Sequence, residues 1–260
     1  MIDAYECSFE QANSVLSVNN MLVTLSNELD MRPVMPPFVL PYYYCEDPDD
    51  GGISAFIICE NGSHITIHTF PYRFFYFVDI LTDRFFPEAK AVELIRRLLY
   101  AETLNVNLID RRNGLSGEID DTIDFGPHYM ISVNDFDATF DGIFRWLDHI
   151  APKINMTPIS RPYVIYDHVD NPSVISGILV VAQSHIAFHY SIAERSANID
   201  IFSCSFLDDG VVESIIDQSF GDNKEIHLFA RGSKHKTNIR YSEKHNVRLN
   251  NNNAWRKNSQ

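Results

Sequence analysis

The 260-residue chain has no apolar run near the ~20 residues that cross a bilayer. Stretches such as GILVVA at 177–182 stop far short. It has only four cysteines, Cys7, Cys45, Cys59 and Cys204, with no CxxC spacing. That excludes a zinc ribbon or a disulfide scaffold and fits a reducing compartment. Positive charge is scarce: 21 Lys and Arg face 35 Asp and Glu, a net of -14. That sign disfavours a nucleic-acid-binding body. The opening MIDAYECSFE lacks the basic-then-apolar pattern of a secretory leader, so a cytoplasmic location is expected. What is present is apolar content of 45% with 22% charge, enough to bury one large core or two smaller ones and too much for wholesale disorder.

Charge is unevenly placed. Eight of the Lys and Arg lie from Arg231 onward, with Glu243 the one acid there. Residues 231–260 therefore read as a basic, Asn-rich tail on an acidic body.

The chain repeats itself. Residues 53–81 read ISAFIICENGSHITIHTFPYRFFYFVDIL, and 175–202 read ISGILVVAQSHIAFHYSIAERSANIDIF. His64 matches His185, His68 matches His189 and Asp79 matches Asp200, all at one offset. Ser54 matches Ser176 one position further along, so the first copy carries an extra residue between its serine and its first histidine. A period this long means two duplicated domains and not a solenoid.

The flanks repeat too. Val15, Val18, Leu22, Leu25 and Leu29 recur at helical spacing, as do Phe140, Ile143, Phe144, Leu147 and Ile150. In each half a helix precedes grouped β-rich segments, a second helix (near 87–101 and 208–219) and a short strand-like run. The pattern predicts an α+β fold: two halves, each an antiparallel sheet covered by helices on one face, packed as an internal pseudo-dimer. The expected limits are 1–110 for the first repeat, 111–124 for a linker, 125–230 for the second repeat, and 231–260 for the tail. Whether MIDAYEC pairs as a strand is left open.

His-x-x-x-His occurs twice, but in alternating β-like surroundings, HITIH and HIAFH. In a strand those two side chains share a face yet stand about 13 Å apart, too far for one zinc, so no metal is expected. Alone, His64 and His185 read as polar residues on a half-exposed strand, and Cys204 as a small buried hydrophobe.

Together, SGILVVAQSHIAFH and NIDIFSC resemble the S-adenosylmethionine decarboxylase family, in its small bacterial and archaeal form, with its SGxxxxxESHxxxH and VDxFTC segments. Ser176, Ser184, His185, His189, Asp200 and Cys204 match without a gap; the first copy matches at Ser54, Ser63, His64, His68-Thr69-Phe70-Pro71 and Asp79. The resemblance implies a self-processing enzyme. A serine hydroxyl attacks the preceding carbonyl, the chain breaks, and the serine becomes a terminal pyruvoyl group. That group forms a Schiff base with the substrate amine and acts as the electron sink for decarboxylation. A cysteine then returns the proton, and a serine–histidine pair assists cleavage.

Carried onto this chain, the resemblance makes Gln183–Ser184 the cleaved bond, Ser184 the source of the covalent pyruvoyl cofactor and Cys204 the proton donor. The matching position for that cysteine in the first half is Asp83, and Asn61-Gly62 before Ser63 reads as a relaxed turn, so Ser63 stays unprocessed. The family often has Glu where this chain has Gln183. Relatives made of two copies build each site across the pair, which would set Ser54 and His68 beside Ser184; pairing within one half with Ser176 and His189 is the alternative. The family's ribose-binding glutamate falls on Tyr72 or Ala193, with Glu194 one place off, and its adenine-stacking aromatic on Pro48 or Asp170. Tyr42, Tyr43, Tyr44 or Phe70 are the aromatics that could take its place, and Phe70, Tyr72 and Glu194 are the substrate-binding candidates.

Three functions follow from the resemblance: S-adenosylmethionine decarboxylation for polyamine (spermidine) synthesis, the same chemistry on arginine or ornithine with Asp47, Asp49 and Asp50 near the cation, or a non-catalytic binding or regulatory homologue. The implied partner is a small-molecule substrate, with no nucleic acid or membrane, in a monomer holding an internal pseudo-dimer or in a homodimer.

Overall fold

The computed structural model of the chain describes residues 1–45, 47–111, 117–120 and 122–234. The first half runs β1 (Ile2–Cys7), α1 (Phe9–Ala12), α2 (Val15–Glu28), β2 (Phe38–Tyr42), β3 (Gly52–Cys59), β4 (Ser63–Phe70), β5 (Phe75–Leu81), α3 (Glu88–Leu98) and β6 (Ala101–Val106). The second runs β7 (Asp124–Val133), α4 (Phe140–Lys153), β8 (Tyr163–Tyr166), β9 (Val174–Val181), β10 (Ser184–Ser191), β11 (Ser196–Phe202), α5 (Asp209–Phe220) and β12 (Lys224–Ser233). The sheets have orders β2-β3-β4-β5-β1-β6 and β8-β9-β10-β11-β7-β12. Position for position these are one topology, and all pairings are antiparallel. The duplication read from the motif thus extends to the whole fold.

Sequence period sets the layers. Ser14 and Thr139 cap α2 and α4 by accepting bonds from Ser17 and Gly142 amides. The apolar stripes Val18, Leu22 and Leu25 of α2, and Ile143, Leu147 and Ile150 of α4, pack onto one face of their own sheets. On β4, Ile65 and Ile67 face those helices, and on β10 Ile186 and Phe188 do. The intervening residues must point the other way because strand side chains alternate. Those opposite faces meet: Phe56 and Ile58 of β3 pack with Ile178 and Val180 of β9, and Phe70, Phe75 and Phe77 pack with Phe202. The result is a helix–sheet–sheet–helix sandwich whose halves cover each other's open sheet face.

Two edges of the expected division shift. MIDAYEC is a full strand, paired with both β5 and β6. At the other end, β12 runs through Ser233, so Arg231 is core and not tail. Its side chain is 0% exposed and bridges to the first half, donating from Nε to Asp3 Oδ1 (2.8 Å) and from Nη1 to Asp79 Oδ1 (2.5 Å). The linker is similarly engaged at its rim, where Arg111 pairs with Asp200, and Asp124 already belongs to β7. Residues 112–116 and 121 of the expected linker, and 235–260 of the expected tail, lie outside the described residues. Among the described residues no helix is long and apolar enough to cross a membrane.

Candidate active site

The face that each sheet turns to the other carries the motif residues. Ser54 on β3 and His68 on β4 are register partners, and so are Ser176 on β9 and His189 on β10. Ser54 Oγ lies 2.9 Å from His68 Nδ1, and Ser176 Oγ lies 2.8 Å from His189 Nδ1. Each histidine then reaches across the interface. His68 Nε2 lies 2.9 Å from His185 Nδ1, and His189 Nε2 lies 2.7 Å from His64 Nδ1. The paired rings stack at 11° and 14°. His64 and His185 are therefore buried interface residues, 1% exposed each, and not the half-exposed strand positions that alternation alone suggested. The open face of one sheet is closed by the other, which a strand pattern does not reveal.

Burial keeps these rings neutral. It lowers the His64 pKa to about 4 and the His68 pKa to about 3, and drives His185 and His189 well below the ordinary imidazole value. A second polar cluster lies alongside. His128 Nδ1 accepts from Arg231 Nη1 (2.9 Å), leaving Nε2–H to face Asp200 Oδ1 at 3.2 Å. Desolvation acts to raise the carboxyls of Asp79 and Asp200, but Arg231 beside the first and Arg111 beside the second, helped by His128, hold both well below the usual range. The Arg231 guanidinium also lies 5.0 Å over the Phe202 ring.

The two copies differ at the turn before the motif serine. In the first, β3 and β4 are joined by Glu60-Asn61-Gly62, with φ of 57° at Asn61 and 69° at Gly62. Asn and Gly tolerate that left-handed region, so the turn is relaxed. In the second, two residues, Ala182-Gln183, join β9 to β10, and Gln183 takes φ 54°. A residue with a Cβ and no Asn-like local bond held there stores roughly 1–3 kcal/mol of strain. This strained residue immediately precedes Ser184.

Side chains from both halves converge on that turn. Gln183 Nε2 donates to the Asp50 carbonyl (2.5 Å), and Ser54 Oγ donates to Gln183 Oε1 (3.1 Å). The Cys204 amide donates to Ser184 Oγ (2.9 Å), and its thiol to the Ala182 carbonyl (3.5 Å). Burial pushes the Cys204 thiol up, which keeps it protonated at neutral pH. The structure thus brings Ser54, His68, Gln183, Ser184 and Cys204 together. Ser176 and His189 sit instead at the other end of β10, where Gly62 packs against His189 (a Cβ at Gly62 would stand 3.2 Å from the His189 Cβ).

The three substrate-binding candidates fare differently. Phe70 is 0% exposed, stacked on Phe75 and edge-on to Phe125. Tyr72 packs edge-on to Phe9. Glu194 is exposed in the β10–β11 turn, and β10 runs Ser184–Ser191 between the two. At about 3.3 Å per residue that separates Glu194 from Ser184 by about 20 Å or more, so it cannot serve a site at Ser184. In the acidic turn around Pro48, Arg73 pairs with Asp47 (2.8 Å) and Asp50 (2.7 Å), and Asp49 is buried. Sequence reasoning missed His64, His128, His185 and Arg231 as interface groups. For His64 and His185 the signal was there, since each shares a strand face with His68 or His189; His128 and Arg231 carried none.

A duplicated α+β sandwich with motif serines and histidines facing each other across its midplane defines the class. The sequence profile of the S-adenosylmethionine decarboxylase family matches residues 1–112 and 138–232, and the chain belongs to that family. Among solved structures, the adenosylmethionine decarboxylase from Aquifex aeolicus VF5 is similar at 20% identity, over 41% of this chain and 89% of that one, with a TM-score of 0.34. No curated protein sequence matches.

Proposed function

We propose that this decarboxylase-family chain is a self-processing, pyruvoyl-dependent enzyme with one working centre, at Gln183–Ser184, and that it decarboxylates S-adenosylmethionine in cytoplasmic polyamine (spermidine) synthesis. The observation that carries the reading is the convergence of two halves on one turn: Ser54, hydrogen-bonded to His68, contacts Gln183 from one side, while Cys204 holds Ser184 Oγ from the other.

The residues present fit the cofactor. Ser184 supplies the hydroxyl, and the strained Gln183 backbone favours leaving the starting conformation. A pyruvoyl group made there supplies an electrophilic carbonyl that takes the substrate amine and draws electrons as carbon dioxide leaves. Neutral His68 can pass a proton toward the turn through Ser54, to which it is hydrogen-bonded. Protonated Cys204 is the acid within reach of residue 184. In the first half Asp83, exposed and paired with Arg84, offers no equivalent. The Asp47 and Asp50 carboxylates are already met by Arg73, which disfavours a cationic amino-acid side chain there and so favours S-adenosylmethionine over arginine or ornithine.

A second reading is a non-catalytic binding or regulatory homologue. It is favoured by the aromatic packing that encloses Phe70 and by the absence of a carboxylate at Tyr72. Intact mass on a denaturing gel separates the two. Self-processing gives fragments 1–183 and 184–260; an unbroken 29.8 kDa chain under all conditions rules the enzyme reading out. Carbon dioxide release from labelled S-adenosylmethionine, arginine and ornithine then names the substrate.

A further inference from the structure

The hydrogen bonds around the turn have one direction. Gln183 Nε2 faces a carbonyl, the Asp50 oxygen, so the amide cannot be turned over, and Oε1 must face Ser54. An amide oxygen only accepts, so Ser54 Oγ–H donates to it. Ser54 Oγ must then accept from His68, which places the proton of neutral His68 on Nδ1. His68 Nε2 is left as a bare acceptor, and the group opposite it is His185 Nδ1, at 2.9 Å. His185 is neutral too, so its proton sits on Nδ1 and its Nε2 is bare. That atom is buried and has no hydrogen-bond partner among the described residues. The chain of donors ends there.

We propose that His185 is a positioning residue: its Nδ1–H holds His68 of the opposite sheet in the tautomer that presents Nδ1–H to Ser54. Gln183 and His185, the residues on either side of Ser184, thereby clamp the Ser54–His68 pair at both ends across the interface. His185 never touches the reacting atoms in this arrangement; it acts through His68. Its ring is fixed for the task, stacked on His68 at 5.1 Å and walled by His64, His128 and Phe202. Without that donor the Gln183–Ser54 chain holds the His68 proton from one side only, whereas the tautomer of a neutral imidazole also follows the bond made by its other nitrogen. The proposal rests on Ser184 being the processed residue only where it speaks of cleavage.

Two measurements test it. In the uncleavable Ser184→Ala chain, ring ¹⁵N shifts should report His68 as the Nδ1–H tautomer, with the His68→Gln spectrum giving the assignment. His185→Leu should lose that signature, and His185→Asn, whose amide N–H occupies the Nδ1 position, should keep it. An unchanged His68 tautomer in His185→Leu overturns the proposal. Separately, the self-cleavage rate of the full chain should fall by about tenfold or more in His185→Leu and recover to within about threefold in His185→Asn. Equal rates for His185→Leu and the parent overturn it as well. If the Leu variant does not fold, His185→Gln replaces it, since its donor reaches the Nε2 position and should not rescue. If the parent itself never cleaves, the assignment of Ser184 fails, and the ring-nitrogen result alone decides the role of His185.

Discussion

Ser54 of β3 donates a hydrogen bond to Gln183 of the β9–β10 turn, 3.1 Å away and 129 positions along the chain. Neither half can make this contact alone. It joins the serine–histidine pair of one repeat to the residue preceding the motif serine of the other, and it sets which of the two histidine chains should matter.

His68→Ala should slow cleavage at Gln183–Ser184 by about a hundredfold or more, the usual worth of a positioned acid–base group. His189→Ala, on the far end of β10, should leave the rate within about threefold. Quantifying the cleaved fraction over time by intact mass, with melting curves to check folding, decides between them. The reverse ranking would place the working pair within one half.

Cys204→Ala should leave self-cleavage in place but lower carbon dioxide release from S-adenosylmethionine by about a hundredfold, because the acid near residue 184 is gone. Single-substrate assays on fully cleaved protein measure this. Full turnover would remove the proposed proton donor.

Arg231→Met should destabilise the fold by about 3–5 kcal/mol, since it strands the buried Asp3 and Asp79 carboxylates without their cation. Adding Asp3→Asn and Asp79→Asn to the Met variant should recover part of the loss. Urea midpoints for the three proteins give the comparison. A midpoint unchanged in Arg231→Met would mean that strand β12 is not docked as described.

Acid should unfold the protein earlier than its carboxylates alone would dictate. In the folded state burial holds the His64 pKa near about 4 and the His68 pKa near about 3, whereas an unfolded imidazole titrates near about 6.5. Between those values only the unfolded chain binds the protons, so stability is full above about pH 6.5 and drains away as the pH falls toward 4 and 3. Denaturant midpoints at pH 7.5, 6 and 5 should therefore decline in order; a flat series would show that the histidines are not buried as neutral rings.

Much of this was open to reading in the chain itself. The offset between His64 and His185 exposed the duplication, and helical spacing from Val15 to Leu29 and from Phe140 to Ile150 placed a helix before each sheet. The extra residue at Asn61-Gly62 already separated a relaxed turn from a tight one, because backbone preference is local and residue type reports it. The three-dimensional fold alone decided the rest. His64 and His185 became partners of His189 and His68, Arg231 passed from tail to core, and Glu194 lies in the turn at the far end of β10 from Ser184. The histidine and Arg231 outcomes depend on what covers a sheet's second face. Strand periodicity says which side chains share a face, but the partner of that face is set by long-range packing that no local pattern encodes.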